Sequence, residues 1–449
     1  MANVTLDRTI AERPDLAHPS LPPRHLWVLV LGAGYLGSTL LSRWDWPAAI
    51  VGGISAILFV IRVAARGRID RIGWAALVYL VVVGIVGLAI GSTPGPSALI
   101  DFLGFEGRPY VAFLPLLLLA TAAVSPRDLT GLRLLMRWSV LGGAGLFLVW
   151  IVGAAPTFGN RGNFFGLMSS HNASGLFFGV AVLVLLVPAS GRIGRLDGVL
   201  GATALGLTLA TGSRTAIFGV LVASIYLLFT ASSLQRKIRT VALVVLAVGA
   251  ILVLSGRVLS TVQYIGSAEF LEGAAAEFAN PDNPEEGKRL HGESVPGGPL
   301  ANALKRFGQW RASLDEFAKS PLIGIGPWRL NDTDRTEVGV HGVVLVAVDG
   351  ERFHASGFGA HNLVLQTLAE TGVVGLAMLA APWILLVRRL RRTEVGGRQG
   401  MALIVFSVAT VLTTNSMISP ALCFPLFTYV MTSVRMHPDV LHQDAGPPA

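Results

Sequence analysis

A single cysteine, Cys423, in 449 residues rules out an intrachain disulfide and carries no information on redox compartment. Charge is also scarce: Asp, Glu, Lys and Arg together make up 14% of the chain, where an ordinary soluble domain carries about 25%. A water-soluble reading with about three domains by length would have to hide recurring apolar runs of about 20 residues, which excludes it. No cleavable leader is visible, because the first 24 residues, "MANVTLDRTIAERPDLAHPSLPPR", are polar and contain proline. The first apolar span is therefore expected to act as an uncleaved insertion signal. No strict repeat of about 20 to 50 residues occurs, so a solenoid is not indicated. The net charge of +8 does not point to nucleic acid, since the basic residues sit in short clusters between apolar runs instead of along one face.

What the chain does have is apolar length. Hydrophobic residues reach 52% and the mean hydropathy is +0.62. About twelve runs are long enough to span a bilayer as helices, near 25–42, 47–65, 73–91, 109–125, 138–156, 173–190, 198–212, 215–232, 240–257, 361–387, 401–416 and 419–434. The expected fold class is an all-α polytopic membrane protein of about twelve transmembrane helices with a large extracytoplasmic loop. It divides into an N-terminal cytoplasmic tail (1–24), helices one to nine (25–257), the large loop (258–360), helices ten to twelve (361–434) and a C-terminal cytoplasmic tail (435–449).

The positive-inside rule orients these spans. With the N-terminus cytoplasmic, the inner loops carry Arg62, Arg66, Arg68 and Arg71, then Arg127, Arg133 and Arg137, then Arg192 and Arg195. Arg236, Lys237 and Arg239 follow, and the last inner loop holds Arg388, Arg389, Arg391, Arg392 and Arg398. Every alternate short loop is basic, and the loops between them are nearly free of excess positive charge.

The same frame puts the large loop outside. Its stretch "LANALKRFGQWRASLDEFAKS" places Leu300, Leu304, Phe307, Trp310, Leu314 and Phe317 at helical spacing, which predicts an amphipathic helix on the membrane or capping the bundle. Further on, "GVVLVAVDGERFHA" alternates about an Asp-Gly turn and predicts a short hairpin.

Three cationic or titratable residues gather at the outer edge: Arg161, Arg214 and His361. Arg214 is the most demanding, because it interrupts the apolar run "TLATGSRTAIFGVLVASIYLLF" and a charge there costs several kcal/mol. A pair of guanidiniums offers the planar forks that clamp a diphosphate, and a helix starting at Ser213 adds its free N–H groups to the same anion site. Plainer roles stand beside these. Arg161 could snorkel to headgroups, Arg214 could pair with Glu370 in a purely structural bridge, and His361 could cap a helix.

The motifs "SPLIGIGPWRL" and "HNLVLQTLAETGVVGLAML" resemble the C-terminal signature of the O-antigen ligase and O-antigen polymerase superfamily, in which a PLxGxG turn precedes an HNxxLxxxxExGxxG helix. Upstream, "RGNFFGLMSSHNASG" and "TGSRTA" resemble its other landmarks, and the resemblance covers most of residues 110–430. The interval from Arg161 to Gly166 is longer than in the family's RxxGxF form, so the match at "GLMSSHN" is firmer than that at Arg161.

This resemblance implies a metal-independent, cofactor-free, C-type membrane glycosyltransferase of the bacterial cytoplasmic (inner) membrane. It would move a glycan from an undecaprenyl diphosphate carrier to an acceptor hydroxyl on the periplasmic side. The implied roles fall on Arg161 and Arg214, with Ser213, for the donor diphosphate and on His361 for the acceptor; His171, Asn172, Asn362 and Glu370 are supporting candidates. The implied partners are the carrier-linked glycan, a glycan or glycolipid acceptor and membrane lipid, with no nucleic acid. Ligase and polymerase would differ only in acceptor: a lipid A core oligosaccharide, as in lipopolysaccharide assembly, or a second carrier-linked repeat unit.

Two readings of other kinds remain. A lipid-linked oligosaccharide flippase or transporter suits the span count, although transporter charges usually lie near the midplane. Asp332 and Asp334 in "NDTDR" form a carboxylate pair that a metal-dependent transferase would use, and otherwise are two solvated loop acids.

Overall fold

The computed structural model describes residues 24–40, 46–66, 69–90, 116–117, 119, 126–153, 159–160, 163–168, 170–187, 194–230, 310–311, 313–327, 362–393, 396–412 and 420–435. Outside the described residues lie Arg161, His361, Asp332, Asp334, residues 1–23 and 436–449 of the tails, the expected span 240–257, most of 109–125, the first half of the expected amphipathic helix (300–309) and the expected hairpin at 342–355.

Among the described residues the chain folds as α1 (Arg24–Leu40), α2 (Trp46–Arg66), α3 (Arg71–Ile90), α4 (Pro126–Ile151), β1 (Gly159–Asn160), β2 (Asn163–Phe164), α5 (His171–Leu186), α6 (Arg195–Ala210), α7 (Arg214–Thr230), α8 (Leu363–Arg391), α9 (Gly397–Val411) and α10 (Pro420–Arg435). The architecture is all-helical apart from the two-residue β1–β2 ladder. Among the described residues, two stretches, Asp128–Ile151 and Leu363–Arg391, are long and apolar enough to cross a membrane, and six shorter apolar helices accompany them.

Helix α5 is the axis of the bundle. Every residue from Ala173 to Leu185 is buried, as an all-round apolar helix requires, and α4, α6, α7, α9 and α10 pack around it. The outer helices behave oppositely. On α2, Ile50, Ile54, Ile57 and Ile61 are exposed, and on α3 so are Trp74, Val78, Val81 and Ile85. Each set recurs at three- or four-residue intervals, giving continuous bare apolar stripes that water would not tolerate and lipid does. Buried hydroxyls of Ser139, Thr208, Ser407, Thr428 and Thr432 bond to carbonyls four residues earlier, which satisfies them without a polar neighbour.

The structure differs from the sequence expectation at two basic clusters. Residues 126–137, expected as a loop, form the opening turns of α4. Pro126 and Asp128 suit a helix start, and Leu129, Leu132, Leu135 and Met136 supply a buried stripe. Likewise α8 runs on through Arg388, Arg389 and Arg391, whose charges suit the negative end of the helix dipole. A hydropathy window truncates both helices because it averages the arginines with the apolar face they share.

Contacts at helix ends fix the relative directions. Arg137 Nε bonds to Asp197 Oδ1 at 2.7 Å, Arg398 Nη1 donates to the Thr230 carbonyl at 2.8 Å, and Arg389 Nη1 lies 3.4 Å from Asp70 Oδ2. These pairs tie α4 to the start of α6, the start of α9 to the end of α7, and the end of α8 to the segment before α3. The starts of α5, α7 and α8 point to the opposite end.

Candidate active site

At that opposite end, three helix starts carry the residues singled out in the sequence. The turn between α6 and α7 is only three residues long. Gly212 takes φ +65°, the left-handed geometry that ends α6, and Ser213 then caps α7 by accepting from Ala216 N at 3.4 Å. The Ser213 hydroxyl also donates to Asn172 Oδ1, 3.2 Å away in the first turn of α5. Gly175, one turn below, makes this approach possible, since a Cβ there would stand 2.4 Å from Ser213 Cβ and 2.7 Å from Thr211 Oγ1. "SSHNASG" and "TGSR" thus form one interlocked unit.

Arg214, the first residue of α7, is exposed and forms no ion pair or hydrogen bond through its guanidinium among the described residues. Glu370 instead accepts from Gln366 Nε2 at 3.1 Å on its own helix. The structure therefore does not bring Arg214 and Glu370 together as a pair.

The start of α5 is built on the preceding loop. Ser170 caps the helix by accepting from Ala173 N at 3.2 Å. Ser174 Oγ accepts from Met168 N at 3.2 Å and donates to the Phe165 carbonyl, folding residues 163–168 back onto the helix. The His171 ring stacks on Phe165, with centroids 6.3 Å apart. Asn160 and Asn163 are register partners in the β1–β2 ladder, and Arg161 belongs to the two-residue interval between them.

At the start of α8, Asn362 is the N-cap, accepting from Val364 N at 3.0 Å and Leu365 N at 3.1 Å. His361 is the residue immediately before that cap. Ten residues after that cap, Gly372 breaks the helix, with φ +65° and ψ −169°. In an unbroken helix, Val373 N would bond to the Ala369 carbonyl and Val374 N to that of Glu370. Here the turn at 321–326 takes over all four groups. Val373 N donates to the Pro321 carbonyl (2.9 Å) and Val374 N to that of Leu322 (3.2 Å), while Ile325 N donates to the Ala369 carbonyl (2.9 Å) and Gly326 N to that of Glu370 (3.0 Å).

Both glycines at this splice are obligatory by contact. A Cβ on Gly324 would lie 2.2 Å from Glu370 C, and one on Gly372 would lie 2.3 Å from Leu322 C and O. The splice removes a defect that would cost several kcal/mol per unpaired group in an apolar medium. "PLIGIG" and "ETGVVG" are therefore two halves of one backbone joint. Gly175, Gly324 and Gly372 were not singled out from the sequence, and their only signal there is their place inside the four motifs.

A family model described as O-antigen ligase matches residues 199–380, from α6 through the Ser213–Arg214 helix start and the 321–326 turn to below the break in α8. No curated protein matches the chain. Three of the four motifs, "TGSRTA", "SPLIGIGPWRL" and "HNLVLQTLAETGVVGLAML", fall inside the matched stretch, and the stretch from 199 to 380 is similar to the O-antigen ligase family.

Proposed function

We propose that the protein is a glycosyltransferase of the bacterial cytoplasmic membrane that transfers a glycan from undecaprenyl diphosphate to an acceptor hydroxyl on the extracytoplasmic side. The observation that carries this reading is Arg214: an exposed guanidinium without a described partner, at a capped helix start tied through Ser213 to the start of α5. The first N–H groups of α7 and the Arg214 fork address one anion, and Arg161 supplies the second fork.

In the reaction, the bond from the anomeric carbon to the diphosphate oxygen breaks while the acceptor oxygen forms a new bond to that carbon. His361, in its neutral form, takes the acceptor proton. The arginines stabilise the charge that develops on the departing diphosphate. The carrier diphosphate leaves in the membrane. A polymerase would run the same step with a carrier-linked glycan as acceptor.

Reconstitution in vesicles with a carrier-linked glycan and candidate acceptors tests this. Transfer is expected to persist in EDTA, because the guanidiniums supply the positive charge a metal would otherwise provide. Arg214→Ala should lower turnover by about 10²-fold or more, and Arg214→Lys should recover only a small part because a point charge lacks the planar fork. The pair Arg214→Ala with Glu370→Ala should not restore activity. Restoration by that pair, or near-normal transfer by the lysine variant, would remove Arg214 from the site. Movement of the carrier-linked glycan across the membrane without its consumption would favour transport.

A further inference from the structure

We infer that the turn at Pro321–Ile323 is inserted among the acyl chains of the leaflet nearest the start of α8, so that the splice at Gly372 is also a membrane anchor. The turn exposes Leu322 at 65% and Ile323 at 52%, two large aliphatic side chains side by side. Directly beside them on α8 are Val373 and Val374, exposed at 43% and 40%, and the backbone bonds of the splice hold the two pairs at one level. The four side chains form one bare apolar patch.

The composition of α8 says what covers it. Before the break, the segment 362–371 carries Asn362, Gln366, Thr367, Glu370 and Thr371, all buried against protein. From Gly372 to Val387, no charged, amide or hydroxyl side chain occurs, and the run ends at Arg388. Val373 lies 15 residues before Arg388, about 22 Å along the helix, and an apolar layer is about 30 Å thick. With the arginines at one boundary, Val373 and the turn bonded to it lie several ångströms inside the other. The lipid-facing surface of α8 thus continues onto the turn without interruption, and a covering of acyl chains needs no partner protein.

This depth has a consequence for the chain on either side. Lys319 and Glu316, which pair at 2.8 Å just before the turn, mark where the polar surface resumes. The segment leading into the turn is held at the lipid boundary by Leu322 and Ile323 as well as by the backbone bonds to α8.

Nitroxide labels on full-length protein in phosphatidylcholine and phosphatidylglycerol vesicles test the inference. They are placed singly at Leu322→Cys, Ile323→Cys, Val374→Cys and Lys319→Cys, in a Cys423→Ala background. Collisions with oxygen report the apolar layer, and collisions with a water-soluble nickel chelate report solvent. The labels at 322, 323 and 374 should all favour oxygen at similar depth, with nickel access rising at 319. Nickel access at 322 and 323 equal to that at 319 would overturn the insertion. So would low access to both reagents, or dipolar broadening between labels, either of which would mean that protein or a second copy of the chain covers the patch.

Discussion

Gly372→Ala tests the backbone joint most directly, because the substitution adds one methyl group and no charge. Two effects add. At φ +65° and ψ −169° the backbone occupies a region that suits glycine almost alone, and forcing alanine into it costs about 1–3 kcal/mol. The new Cβ would also stand 2.3 Å from Leu322 C and O, which are backbone atoms with no rotamer to change. The turn has to retreat, and the bonds nearest the clash, from Val373 N and Val374 N, are lost first. Each leaves a donor unsatisfied in apolar surroundings at about 1–3 kcal/mol.

The expected destabilisation is about 3–6 kcal/mol, allowing for partial relaxation of the turn. The assay is denaturation in mixed micelles with helical signal as readout. The control is Gly145→Ala in α4, where no atom lies within 4 Å of the added Cβ and the change should stay within about 1 kcal/mol. Gly324→Ala should match Gly372→Ala, and the double variant should cost little more than either alone, since both break one joint. A Gly372→Ala value within about 1 kcal/mol of the control, or strict additivity in the double variant, would refute the joint.

Two further outcomes follow from the packing. Gly175→Leu should lower transfer by weakening the grip on the donor, raising KM, because the side chain pushes Ser213 and hence Arg214 away from α5; unchanged KM and kcat would show that the Ser213–Asn172 contact is incidental. Arg137→Ala should destabilise the fold by about 1–3 kcal/mol, since it strands the buried Asp197 carboxylate, and Asp197→Asn should cost less, because an amide is easier to leave buried; equal losses would argue that Arg137 acts through packing alone.

Much of the helical plan was legible in composition. Ten of the expected spans overlap described helices by most of their length, because apolar length and lipid thickness are both one-dimensional quantities that a sequence states directly. The errors fell where that measure fails. At 126–137 the arginines lie on one side of a helix whose other side is leucine, and a linear average cannot separate faces that only the 3.6-residue turn distinguishes.

The site was legible as a set of motifs but not as an arrangement. Ser213, Asn172 and Asn362 were named from the sequence for chemical roles, and the structure adds that each holds a helix start in place. The glycines that make the motifs possible remained silent, because a glycine's meaning lies in what occupies the space where its Cβ would be.

The sequence by itself determined a helical, membrane-embedded chain, the order of its four motifs and the residues proposed above to bind an anion and move a proton. Only the tertiary structure decided that the motifs act in pairs. Asn172 meets Ser213 across 41 positions of sequence, and the turn at 321–326 fills a helix break about 50 residues later. Those partnerships depend on backbone groups and on the absence of side chains, and neither is written in residue identity until the chain has folded back on itself.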